Sequence, residues 1–229
     1  MGKKILVVQS RITEVRIENE RNNYRRSVGD RAQVDFLSAV DEKLAWATPE
    51  EFLKGYDGVI FGGSSDFDFH GGRQPNDPAR IMSTLILSRA RNIVSYALEC
   101  NIPVLGICFG HQIIGQMMSG MVGNDREQSK FGAYAVRLTE AGKIDELFSG
   151  LPQEFFAQYA HKDSVTNLPE GATLLATGTA CRFSALRYGS RVYTVQFHPE
   201  VRRFVHGPKS QDSPEASKLI PLWIERIIG

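Results

Sequence analysis

Gly106-Ile107-Cys108-Phe109-Gly110-His111-Gln112 is the stretch whose reading decides the fold. A short apolar run, Pro103-Val104-Leu105, precedes it, and an apolar stretch of helical character, Ile113-Ile114-Gly115-Gln116-Met117-Met118, follows. A strand passing into a helix through Gly-x-Cys-x-Gly is the pattern of a nucleophile elbow. Small residues two positions either side of Cys108 allow a turn too sharp for larger side chains, and that turn lifts the sulfur out of the fold. The N–H groups and dipole at the start of the following helix favour a thiolate there. A free cysteine is usually a small buried hydrophobe, but that role does not call for two framing glycines.

A second stretch, Val195-Gln196-Phe197-His198-Pro199-Glu200, completes the chemistry. If the chain stays extended, strand alternation sets Gln196, His198 and Glu200 on one side. Pro199 marks a strand end, where side chains reach a site. An imidazole takes the proton of a nearby thiol, and a carboxylate on the other ring nitrogen fixes the tautomer. The expected triad is Cys108, His198 and Glu200. His161, in His161-Lys162-Asp163-Ser164-Val165, competes as the base, but the position of Glu200 favours His198.

Gly62-Gly63-Ser64-Ser65 follows an apolar run and ends it in a glycine turn. The N–H groups of Gly62 and Gly63 are expected to form one half of an oxyanion hole, with the N–H of Phe109 as the other. A phosphate loop of the ATP-pyrophosphatase kind does not fit, because Phe61 stands at its first serine and the spacing to Asp66 is too long. Asp66, Asp68 and His70 alternate in a Gly-rich loop without defining a metal geometry, so neither metal nor cofactor is expected. With Phe67, Phe69, Gly71 and Gly72 they resemble a lid. Cys100 and Cys181 lack the elbow context and read as structural.

The elements follow from patterning. Strands are expected at 5–8, 32–37, 58–61 and 104–107, then at 133–138, 154–159, 172–176, 182–188 and 192–197. Gly189-Ser190 joins the last two as a hairpin. Thr48-Pro49-Glu50-Glu51 opens a helix with Thr48 as N-cap. Asp77-Pro78 opens a long one reaching Glu99, and Ser213 caps one over 214–228. Residues 205–212 read as a loop. The charged span from Arg11 to Arg31 reads as a solvated helix, with a partner-binding surface as the alternative. The expected fold class is α/β: one domain over residues 1–229, with an open, mostly parallel sheet flanked by helices.

Bulk properties exclude other classes. A formal net charge of +1 offers no field for nucleic acid or an anionic membrane. Three cysteines with no Cys-x-x-Cys pair argue against a disulfide framework and for a reducing compartment. Ile5-Leu6-Val7-Val8 is too short for a signal core and no stretch approaches membrane-spanning length, so a cytoplasmic protein is expected.

Gly-x-Cys-x-Gly-x-Gln followed far along the chain by His-Pro-Glu resembles the class I glutamine amidotransferase family, and its flavodoxin-like α/β fold is implied with it. The His-x-Asp-x-Val patch at 161–165 is similar to that of the amidotransferase domain of GMP synthetase. The resemblance covers roughly residues 56–202 and implies glutamine hydrolysis through a γ-glutamyl thioester, with ammonia passed to a separate synthetase partner. It implies that Gln112 helps hold the substrate and that Asp163 contacts the substrate or the acceptor side. A γ-glutamyl peptide hydrolase on the same scaffold is the main alternative, and an idle interaction module a weaker one. Two segments, Arg11 to Arg31 and Ser64 to Asp77, are expanded relative to the family pattern and are expected at the rim of the site.

Overall fold

The first strand shows how the layers arise. Ile5 and Val7 face one side with Tyr24, Val28 and Trp223, while Leu6 and Val8 face the other with Ile86, Ile93 and Ile113. A strand apolar on both faces must be covered on both faces, which is the condition of a parallel sheet between helices. The computed structural model describes residues 2–179, 181–204 and 211–229.

In chain order the elements are β1 (Lys3–Gln9), α1 (Glu14–Val28), β2 (Ala32–Ser38), α2 (Glu50–Leu53), β3 (Gly58–Phe61), α3 (Pro78–Glu99), β4 (Val104–Ile107) and α4 (Phe109–Met117). Then come β5 (Val122–Gly123), β6 (Lys130–Leu138), α5 (Glu140–Ile144), β7 (Glu154–His161), β8 (Ser164–Val165), β9 (Ala172–Gly178), β10 (Ala185–Tyr188), β11 (Val192–Val195) and α6 (Leu219–Trp223). Among the described residues, nine strands form one sheet in the order β2-β1-β3-β4-β11-β10-β9-β6-β7. Pairing is parallel from β2 to β11 and antiparallel from there to β7. β5 and β8 form a small separate pair.

The register places the chemistry. Val8 pairs with Phe61, Phe61 with Gly106, and Ile107 with Val195. Neighbouring parallel strands therefore end at one level, and the segments after β1, β3, β4 and β11 leave the sheet side by side. Sites in open α/β sheets form at such carboxyl ends.

Several expected boundaries differ. The charged helix is shorter, Glu14–Val28, and is not wholly solvated: Glu20, Tyr24 and Val28, four apart, are buried on one face. Pro49, not Thr48, caps α2, and the Thr48 hydroxyl bonds Glu51 Oε1 at 2.9 Å. Asp77 caps α3 as expected, accepting from Ala79 N. β11 ends at Val195, two residues early. The last helix winds in three ways: a 3₁₀ turn (Ala216–Lys218), then α6, then a wider π-type turn (Ile224–Ile228). Ser213 does not cap it, because its hydroxyl donates to Arg202 O at 3.0 Å and accepts from Gln158 Nε2 at 3.1 Å. Most of the expected loop over 205–212 lies outside the described residues.

Candidate active site

Cys108 follows β4 directly and has φ of +52° and ψ of −99°, in a region that a non-glycine residue occupies only under strain. Packing enforces it. A methyl group on Gly106 would sit 2.8 Å from Gly110 O, and one on Gly110 would collide with Phe61 O. The two glycines let α4 turn back tightly against β3 and β4. Gly110 N donates to Gly62 O at 3.2 Å, which ties the elbow to the end of β3. Cys108 is buried, and its Sγ lies 3.8 Å from Ala160 O.

His198 and Glu200 arrive differently from expectation. The chain does not stay extended beyond β11. It makes a turn at Pro199, closed by Val201 N donating to His198 O at 3.2 Å. That turn, not strand alternation, sets Glu200 Oε1 2.7 Å from His198 Nδ1. Gln158 O accepts from His198 N at 2.8 Å and fixes its backbone. Burial alone would lower the His198 pKa, but the Glu200 carboxylate and the Cys108 thiol outweigh it and hold the imidazolium well above its ordinary range. His198 Nε2 has no partner at full hydrogen-bond geometry among the described residues, but the Cys108 side chain is near enough to raise the His198 pKa.

His161, the competing base, sits otherwise. Its Nδ1 lies 3.0 Å from the main-chain oxygen of Asp163, and burial drives its pKa down to about 4. It is a neutral ring on a carbonyl, without a carboxylate partner.

The three backbone donors expected at the oxyanion position do not share one fate. Gly62 N donates to Val8 O at 3.0 Å, so its N–H extends the sheet and is not free. Neither Gly63 N nor Phe109 N makes a hydrogen bond among the described residues. Phe109 opens α4, where N–H groups lack intrahelical partners. A methyl group on Gly63 would sit 2.8 Å from His198 Cε1 and 3.5 Å from Cys108 Cβ. Gly63 thus lies directly against both reacting side chains.

A cavity of about 460 Å³ opens over Cys108, lined in part by Ser65, Phe67, Gln112, Lys130, Lys162 and Asp163. The two expected substrate contacts line it but are already engaged. Gln112 Nε2 donates to Asp163 O at 2.7 Å and to Gln196 Oε1 at 3.3 Å. Both Asp163 carboxylate oxygens accept main-chain N–H groups, from His70 and Gly71, each at 2.7 Å. In this structure the Asp163 carboxylate therefore holds the loop.

That loop is the expanded segment after β3. Phe69 stacks on Phe109 with ring centroids 5.4 Å apart. Arg73 pairs with Asp68 at 3.0 Å and Asp77 at 3.4 Å. Asp66 accepts from Ile12 N at 3.0 Å and pairs with Arg16, and Ser65 accepts from Arg11 Nη1 at 2.9 Å. Asp66, Asp68 and His70 are thus loop fasteners. The two expanded segments are bound to each other at the rim.

Cys100 is exposed and Cys181 buried, neither in a disulfide. Burial pushes the Cys181 thiol up to about 12, which makes it inert.

The chain that builds this mixed sheet, with a strained cysteine at the carboxyl edge of its parallel half, also matches a known family model in its sequence. The model for class-I glutamine amidotransferases covers residues 39–212, and the chain belongs to that family. Its relatives include a subunit of glutamine-hydrolyzing GMP synthase from Archaeoglobus fulgidus, 34% identical over 67% of this chain and 72% of the relative. The corresponding protein of Methanocaldococcus jannaschii is 37% identical over 53% of this chain and 63% of its own length. The GMP synthase of Syntrophomonas wolfei is 34% identical over 75% of this chain, but the match spans only 30% of that longer protein. Among solved structures, a candidate GMP synthase subunit from Thermoplasma acidophilum superposes with a TM-score of 0.71 at 21% identity, covering 98% of this chain and 94% of that one. A glutamine amidotransferase from Thermotoga maritima gives 0.62 at 21% identity, over 98% and 82%. At that identity the structures speak for the fold alone. Among the described residues no helix is long and apolar enough to cross a membrane.

Proposed function

We propose that this protein hydrolyses the side-chain amide of L-glutamine and supplies the ammonia to a separate synthetase partner, as the names of its GMP synthase relatives suggest. The observation that carries the reading is His198, set 2.7 Å from Glu200 and electrostatically coupled to Cys108, the cysteine that lines the cavity. The Cys108 thiolate adds to the amide carbon of glutamine. Gly63 N and Phe109 N face the resulting oxyanion. The imidazolium of His198 gives its proton to the departing nitrogen as the C–N bond breaks, which leaves ammonia and a γ-glutamyl thioester. His198 then takes a proton from water, whose oxygen attacks the thioester. Breaking the C–S bond frees glutamate and restores the thiolate–imidazolium pair. Gln112 and Asp163 border the glutamyl group, and no cofactor enters the sequence of steps. Three unpaired thiols support a reducing, cytoplasmic setting.

The test is substrate choice. Purified protein receives glutamine and a panel of γ-glutamyl amides and peptides, alone and with the ATP-dependent partner of a GMP-synthase-type system. Glutaminase activity that rises with the synthetase supports the proposal. Peptide cleavage with no glutamine turnover in either setting favours a γ-glutamyl hydrolase instead. Cys108→Ser should abolish both activities.

A further inference from the structure

The charged segment after β1 places an ion pair behind the triad. Glu20 is 3% exposed, and its Oε1 lies 3.0 Å from Arg11 Nε. Gln9 Nε2 donates to the other oxygen at 2.9 Å, and the Tyr24 hydroxyl is buried close by. Burial raises the Glu20 pKa, and Arg11 and Gln9 draw it back. Arg11, Glu20, His198 and Glu200 together line a second cavity of about 260 Å³ on the α1 side. The same point above Gly63 lies 3.6 Å from Arg11 Nη2 and 2.8 Å from His198 Cε1. Glu200 binds His198 through one oxygen only, and its Oε2 is buried without a hydrogen-bond partner among the described residues. A guanidinium is thus close to a carboxylate with a vacant acceptor, yet Glu20 and Ser65 hold it.

We propose that Glu20 is a positioning residue for the triad: by gripping the Arg11 guanidinium it keeps that cation from the free oxygen of Glu200 and leaves the Glu200 carboxylate to His198. Without Glu20, the half-buried Arg11 cation would lose its anion, and with Asp66 already held by Ile12 N and Arg16, a bidentate guanidinium–carboxylate pair with Glu200 would form. His198 would then face a neutralised partner. The other charged or titratable groups facing His198 and Glu200 include Cys108 from the elbow, Tyr24 and Arg16 from α1, the latter paired with Asp66, and His161 at the end of β7. None of them substitutes for Glu20 as an anion on Arg11. The inference rests on the Cys108–His198–Glu200 reading.

The test is the titration of His198 itself, followed by NMR on histidine-labelled whole protein. A Cys108→Ser background removes coupling to the thiol, and the His198 signal is assigned by its loss in His198→Asn. Glu20→Gln should lower the His198 midpoint by about one pH unit. Adding Arg11→Met to it should restore the parent value, a rescue that simple loss of packing would not show. Arg11→Met alone should not lower the midpoint, and it serves where Glu20→Gln folds poorly. An unchanged midpoint in Glu20→Gln, no recovery in the double variant, or a fall in Arg11→Met would overturn the proposal. If Glu200→Gln leaves His198 unmoved, the triad reading itself fails, and the outcome is distinct.

Discussion

Nδ1 of His198 lies 2.7 Å from Glu200 Oε1 across a turn made by Pro199. Both side chains are buried, so the carboxylate acts on the ring through little water. Glu200→Gln keeps the shape and removes the charge. It should lower glutamine turnover by about 10²- to 10⁴-fold through kcat, with KM little changed. Steady-state kinetics at several pH values checks this, since the pH optimum should move as the imidazolium loses its anion. Because the folded His198 pKa is raised, this pair stabilises the fold fully below the unfolded histidine pKa, and that stability fades as pH rises through the folded value.

Gly63 offers a cleaner separation of activity from stability. An added methyl group would meet His198 Cε1 at 2.8 Å and Cys108 Cβ at 3.5 Å, so the imidazole must move. Gly63→Ala should cut activity by roughly 10²-fold, the usual cost of a misplaced catalytic group, while thermal unfolding changes little. Gly110→Ala is the contrast. Its methyl group collides with Phe61 main chain, and the elbow itself must open. That variant should lose about 1–3 kcal/mol of stability as well as activity, as measured by urea unfolding.

The contrast between these positions shows what the sequence made legible. Cys108 and its glycines announce a turn through local sterics, and β1, β3 and β4 announce themselves through apolar runs buried on both faces. Chemistry set by neighbours far along the chain did not announce itself. Glu20 sits in a run of charges and looks solvated; only its four-residue spacing to Tyr24 and Val28 marks an inward face. Asp163 was legible as a polar residue near the site, but its partners, His70 N and Gly71 N, are more than ninety residues away. Gly62 looked like an oxyanion donor because nothing local shows that β1 takes its N–H.

Asp163 therefore predicts a loop effect. Its carboxylate receives two charge-assisted bonds from the loop that covers the cavity. Asp163→Asn keeps the size but can accept with one oxygen only. The loop should loosen, with KM for glutamine rising about tenfold, a loss of roughly 1.4 kcal/mol, and kcat falling less. Limited proteolysis after Arg73 should quicken in the same variant. Unchanged kinetics and unchanged cleavage would mean that Phe69 on Phe109 and the Arg73 ion pairs hold the loop alone.

The last prediction concerns acid stability and follows from a histidine outside the reaction. His111, next to the second elbow glycine, is fully buried, with Nδ1 2.8 Å from Thr194 Oγ1 and no partner for Nε2 among the described residues. Burial drives its pKa down to about 3, with a further push from His161. The unfolded chain binds a proton at this residue near pH 6.5, whereas the folded chain refuses it. Stability must therefore fall as pH drops below the unfolded value, and continue to fall until the folded pKa is reached. Between about pH 7 and pH 4 this one group should remove about 3 kcal/mol. His161, depressed to about 4, adds to the same slope. His198 does not, since its pKa is shifted the other way. His111→Gln should flatten the acid limb measured by urea midpoints across that range, at some cost at neutral pH from the altered contact with Thr194. An acid limb as steep as in the parent protein would show that His111 accepts its proton without unfolding the elbow.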